Sequence, residues 1–100
     1  MAKRKIIWSN RAKLDLLKIL EYFFKRNGSK TYSNKLYARI RKSVRLLSNQ
    51  PNLGLMTDQD NVRSLITGDY AIFYQPDDDK IKVISIWDSR QDPDNLIINK

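Results

Sequence analysis

Residues 62–93 read VRSLITGDYAIFYQPDDDKIKVISIWDSRQDP. Three short apolar runs, VRSLIT, YAIFYQ and KIKVISIWD, are separated by Gly68-Asp69 and by Pro76-Asp77-Asp78-Asp79, residues that favour tight turns. The spacing predicts a three-stranded antiparallel meander. Its middle run is apolar on both alternating faces, with Tyr70, Ile72 and Tyr74 on one and Ala71, Phe73 and Gln75 on the other. A strand of that kind belongs at the centre of a sheet. Arg63 enters the meander and Arg90 leaves it, so a working site is expected near the sheet and these two arginines.

The chain before the meander supplies the layer that covers it. Lys5-Ile6-Ile7-Trp8 is a short strand candidate, followed by Ser9 or Asn10 as a helix cap. Leu14, Leu17, Ile19-Leu20 and Phe23-Phe24 then recur at helical spacing from Arg11 to about Arg26, with Asp15 early and Lys25-Arg26 late, as the helix dipole favours. Glu21 and Lys25 add an i,i+4 pair. Asn27-Gly28 ends this helix, and Ser29 is the expected cap of a second one running to about Ser48. In that helix Leu36, Ile40, Val44 and Leu47 fall within about 80° of arc at about 100° per residue. Lys35, Arg39, Arg41, Lys42 and Arg45 cover most of the remaining circumference. Pro51 and Gly54 end the hairpin, Asn52 to Asn61 reads as a polar loop, and Leu96-Ile97-Ile98 could extend the tail as a strand.

The fold expected is α+β, in the order β-α-α-β-β-β. One domain spans residues 1–100, with the helical hairpin on one face of a small, mostly antiparallel, twisted sheet. The opposite face is expected to be partly open.

Composition narrows the chemistry. There is no cysteine, which fits a reducing cytoplasm, and no histidine, which removes the commonest metal ligand and the usual proton carrier near neutral pH. No apolar run approaches the roughly 18–20 residues needed to cross a bilayer, so no membrane association is expected. Residues 1–50 carry 14 Lys/Arg against Asp15 and Glu21, a balance of +12. Residues 51–100 carry five against nine Asp, a balance of −4. A basic half of that size suits an acidic or polyanionic partner, although net charge also serves solubility alone.

Several stretches, in order, carry a resemblance: IIWSNRAKLDLLKILEYF, the Pro51…Gly54 break, VRSLITGDYAIFYQ and the closing ISIWDSRQDP. Together they resemble the RelE/ParE superfamily of bacterial toxins from type II toxin–antitoxin, or plasmid stabilisation, modules, over nearly the whole chain. The resemblance implies one of two activities. RelE-like members cut messenger RNA in the ribosomal A site, which needs cations on the phosphate and groups that handle protons. That branch carries lysines in the first strand after the helices and an arginine directly after the tyrosine of the next. Here the first strand is Val62-Arg63-Ser64-Leu65 and Ala71 follows Tyr70; Arg90 alone approximately keeps a third cationic position. The histidine-tyrosine ending of the YoeB-like relatives is also absent. ParE-like members, which poison DNA gyrase, end their last strand with an arginine followed by an acidic residue. Ser89-Arg90-Gln91-Asp92-Pro93 reads that way.

The resemblance therefore implies a gyrase inhibitor neutralised by an acidic antitoxin, using no cofactor and no metal. The alternatives are a ribosome-dependent mRNA endonuclease that uses Arg90 with Arg63, and a family member that has lost toxicity and acts only by binding. Candidate target- or antitoxin-binding residues are Arg63, Arg90, Lys35, Arg39, Lys42 and Arg45. Each has a structural rival: Arg63 and Arg90 can pair with nearby carboxylates, and the helical cations can form a solvated face. Tyr70, Tyr74, Trp8 and Trp87 read as packing residues first. Asp77-Asp78-Asp79 reads as an acidic turn, since it lacks the glycine and glutamate spacing of a calcium loop.

Overall fold

The computed structural model describes residues 3–88. Within them the chain forms β1 (Lys5–Trp8), α1 (Asn10–Asn27), α2 (Thr31–Asn49), β2 (Leu55–Met56), β3 (Arg63–Thr67), β4 (Tyr70–Pro76) and β5 (Lys80–Asp88). The strands make one sheet in the order β1-β5-β4-β3-β2. β1 runs parallel to β5 and the other neighbours are antiparallel. This is the expected α+β arrangement with one strand added. β2 lies inside the stretch expected to be a polar loop, pairing Leu55 with Ser64 and Met56 with Arg63. Two exposed residues give no burial pattern, which is why periodicity misses them.

β4 occupies the middle of the sheet, and its residues 70–74 are all buried. Tyr70 and Ile72 pack with Val83 and Ile86 under Ala12, Leu16 and Phe23 of α1 and Leu36, Ile40 and Val44 of α2. Tyr74 joins Ile81 and Leu47. On the opposite face Ala71 and Phe73 cluster with Val62, flanked by Ile84 and Trp87. That face is therefore less open than expected near its centre, while Ile66 remains 62% exposed. Both tryptophans pack against these clusters.

The start of α1 is tied to β5. The Ser9 hydroxyl accepts from the Ala12 amide at 3.0 Å, capping the helix, and donates to the Ile84 carbonyl at 2.7 Å. Asp15 accepts from the Ile86 amide at 3.1 Å. β1 stops at the Trp8–Val83 pair, so these side chains continue the hydrogen bonding that the strand no longer supplies. The anchoring also turns α1. Ala12, Leu16 and Phe23 face the core, whereas Leu14 and Leu17, expected in the apolar stripe, are 54% and 61% exposed. Asp15 lies beyond the first helical turn and acts through β5 rather than through the dipole.

Gly28 ends α1 as expected, with φ of 69° and its amide bonded to the Phe24 carbonyl. The cap of α2 differs. Lys30 takes that position and makes no side-chain cap bond, since its ammonium has no acceptor to offer the first helical amides. Ser33 instead fastens the hairpin, its hydroxyl donating to the Leu20 carbonyl at 2.9 Å. The stripe Leu36, Ile40, Val44 and Leu47 is buried throughout.

After α2 a buried phenol ties the chain to the sheet. Tyr74 Oη donates to the Pro51 carbonyl at 2.9 Å and accepts from the Gly54 amide at 2.8 Å. A Cβ on Gly54 would lie 2.8 Å from the Ser64 carbonyl oxygen and equally near the Tyr74 ring. Only glycine fits so close to backbone. Desolvation pushes the Tyr74 phenol above its usual 10.0, against the smaller opposing effects of Gly54 and Arg63.

Two outcomes test this clamp in urea unfolding. Tyr74→Phe leaves both backbone groups without their partner, and a loss of about 1–3 kcal/mol is expected, against less than about 0.5 kcal/mol for Tyr37→Phe at the surface. Because the folded-state pKa is raised, the stability tied to the neutral phenol is full below the ordinary tyrosine value and is lost as pH rises through the folded one. A difference titration at 295 nm between wild type and Tyr74→Phe should therefore place this phenol above pH 10.0.

Candidate functional site

The structure separates the cations proposed from sequence. Arg63 turns to backbone: its Nη1 donates to the Gly54 carbonyl at 2.7 Å and to the Asn52 carbonyl at 3.4 Å. It thus holds the same loop as Tyr74, its partner across β3 and β4. Arg39 lies along the β3–β4 turn, its guanidinium 3.2 Å from where a Cβ on Gly68 would sit. Beside it the Ser43 hydroxyl donates to Thr67 Oγ1 at 3.1 Å, fixing α2 to that turn. Lys35, Lys42 and Arg45 are exposed on the outer side of α2, away from the core stripe. Arg90 lies outside the described residues, as does the tail stretch Leu96-Ile97-Ile98.

Tyr70 and Tyr74 are 2% and 0% exposed, so neither offers a ring for stacking. The aspartate run forms the β4–β5 turn, with the Asp77 amide on the Lys80 carbonyl at 2.8 Å and the Lys80 ammonium 3.8 Å from the Asp77 carboxylate. Among the described residues no group of three His, Cys, Asp or Glu side chains is placed to hold a metal ion.

A concave surface lies elsewhere, on the helical hairpin beside β1. A recess of about 400 Å³ has a floor of Trp8, Leu16, Leu17 and Leu20 and a rim of Lys13, Tyr37 and Arg41. Arg41 stands over the Tyr37 ring at 5.6 Å and donates to its hydroxyl at 3.4 Å. Farther along α1, Phe24 is 41% exposed under the Lys30 ammonium, 5.8 Å from its ring centroid. Leu17, Leu20 and Phe24 follow i, i+3, i+7 spacing and make a second apolar line parallel to the core stripe. The described lining holds no carboxylate. An apolar floor with a cationic rim suits a docked amphipathic segment carrying acidic side chains.

Sequence reasoning passed over this surface by assigning Leu17 and Phe24 to the core. The signal was present in the width of the pattern. Apolar residues at positions 14, 16, 17, 19, 20, 23 and 24 spread over more of the helix than one buried face can use. The commitment of Arg63 is testable by unfolding. Arg63→Gln should destabilise the fold by about 1.5–3 kcal/mol, the range for hydrogen bonds from a charged donor, whereas Lys42→Gln should change it by less than about 0.5 kcal/mol.

Comparison with known proteins agrees with this fold. Solved structures with the same architecture include the chromosomal ParDE system of Pseudomonas aeruginosa, at 18% identity and a TM-score of 0.73 over 84% of this chain and 94% of that one. The RelBE2 toxin–antitoxin complex of Mycobacterium tuberculosis matches at 17% identity and 0.64, over 88% and 93%. The DinJ–YafQ toxin–antitoxin complex of Escherichia coli matches at 12% and 0.55, over 88% and 94%. No curated protein sequence gives a significant match. The family described as the ParE toxin of the type II toxin–antitoxin system parDE matches residues 6–93. With most of its length inside that match and its two helices packed on a five-stranded sheet, the chain belongs to the ParE toxin family of type II toxin–antitoxin systems.

Proposed function

We propose that this toxin inhibits DNA gyrase by binding, and that an acidic antitoxin neutralises it by laying an amphipathic segment into the recess between α1 and α2. The observation that carries the antitoxin reading is the apolar line of the exposed Leu17 and Phe24 and the half-buried Leu20, beneath Lys13, Arg41 and Lys30. The solved neighbours RelBE2 and DinJ–YafQ are themselves toxin–antitoxin complexes. A largely disordered acidic segment that folds on binding would gain apolar burial along this line and charge contacts at its edge. Among the described residues no helix is long and apolar enough to cross a membrane, and a cytoplasmic site of action accords with both partners.

Gyrase is favoured over messenger RNA by the residues themselves. Phosphodiester cleavage requires cations free to meet the scissile phosphate. Arg63, the strand cation available for that role, is occupied by two loop carbonyls, and Ala71 stands where the nuclease branch has an arginine. The sheet-bearing half also carries the negative balance, which disfavours an RNA backbone.

The purified chain should inhibit gyrase supercoiling and leave translated messages uncut in primer extension. A-site cuts that vanish in Arg90→Ala, with supercoiling unaffected, would establish the nuclease instead. Absence of both effects would mark a chain that acts only by binding. Leu17→Glu, at an exposed position, should weaken capture by the product of the adjacent reading frame about tenfold or more, without lowering the melting temperature.

A further inference from the structure

The outer face of α2 remains outside both readings. At about 100° per residue, Lys35, Lys42 and Arg45 lie within about 80° of arc opposite the buried stripe, with Arg39 at its flank. Lys35 and Arg45 are separated by about 15 Å along the axis. Beside these cations the exposed surface holds Ala38 and, one residue past Arg45, Leu46, but no acidic residue: all of Thr31–Asn49 lacks Asp and Glu. The ion pairs of Arg11 with Asp15 and of Lys80 with Asp77 lie away from this face.

This pattern works against the helix that carries it. Lys35–Arg39 and Arg41–Arg45 are like-charged i,i+4 pairs, and Arg39–Lys42 and Lys42–Arg45 are like-charged at i,i+3. The first turn has no acid to meet the positive end of the dipole, the cap residue is itself a lysine without a cap bond, and the last turn has no base. A face selected only for solubility can mix signs and avoid this repulsion. One selected to meet an array of negative charge cannot. Local choices that oppose the fold's own stability point to a function.

We infer that the outer face of α2 binds the phosphate backbone of a nucleic-acid duplex, without reading sequence. A rod-like row of cations about 15 Å long meets such a backbone well, since duplex DNA carries one charge per about 1.7 Å of axis. An acidic polypeptide fits less well. It would need apolar anchors, and on this face only Leu46, 44% exposed, could serve, while the apolar recess lies on the other flank of the helix. The inference does not depend on the gyrase or antitoxin readings.

The test is fluorescence anisotropy of the purified full-length chain with a random 20-base-pair DNA duplex, the matching RNA duplex and poly-L-glutamate, each over a series of salt concentrations. Binding to a duplex should weaken steeply with salt. In Lys35→Gln/Lys42→Gln/Arg45→Gln the log–log slope should become shallower by about 2–3, near 0.9 per lost phosphate contact. Lys3→Gln/Lys18→Gln/Lys82→Gln, an equal loss of charge at exposed sites elsewhere, should keep the wild-type slope. Circular dichroism melting verifies that both variants fold, and a third substitution set, with lysine replacing Arg45 alone, should retain the slope because a point charge suffices. Tight binding of DNA alone, or of DNA and RNA alike, supports the inference and identifies the source of the backbone. No duplex binding at 50 mM salt, equal slopes for the two triple variants, or poly-L-glutamate binding as tightly as duplex would each overturn it.

Discussion

Two polar side chains at the start of α1 set the rotation of that helix, and much of the surface follows from it. Ser9 and Asp15 reach the backbone of β5 just where β1 ceases to pair with it. A cap of the Ser9 kind contributes about 1 kcal/mol by itself. The larger consequence is geometric. With residues 9 and 15 fastened, Ala12, Leu16 and Phe23 must face the sheet, and Leu17 and Phe24 must stand clear of it. A modest turn of the helix would exchange the two apolar lines and erase the recess beside Tyr37 and Arg41. The same bonds satisfy strand groups that would otherwise lack partners, so fold and surface share one cause.

Much of this fold is legible in the sequence because its signals are local and agree with one another. The meander is announced by two turn sequences around a run apolar on both faces, and β4 is indeed central. The α2 stripe needs no tertiary information, since four residues at helical spacing leave one choice of inward face. The reading fails where tertiary contacts decide. In α1 too many apolar residues compete for one face, and the choice among them is made by Ser9 and Asp15 through a strand some 75 residues away. β2 is too short and exposed to leave a pattern. The expected cap at Ser29 falls instead on Lys30.

The candidate site was legible in its chemistry more than in its position. The basic first half directs attention to the helices, but the individual cations have different employments. Arg63 holds a loop through carbonyls, a role no sequence pattern announces because its partners are backbone atoms. Arg39 lies along the β3–β4 turn, and Lys35, Lys42 and Arg45 stay in solvent. Arg41, treated from sequence as one more surface charge, stands at the rim of the recess. Pairing a cation with a tyrosine one turn away on the same helix, as Arg41 does with Tyr37, also shields an aromatic ring that would otherwise be bare to water.

The central claim is that α1 carries one apolar line for its own core and a second for a partner. The most direct measurement is a methyl-resolved NMR titration of the leucine-labelled chain with the proposed acidic antitoxin. The account predicts large shift changes at Leu17 and Leu20 and small ones at the buried Leu36 and Leu47. Changes concentrated at Leu55 and Leu65 of the sheet, with Leu17 and Leu20 unmoved, would contradict it.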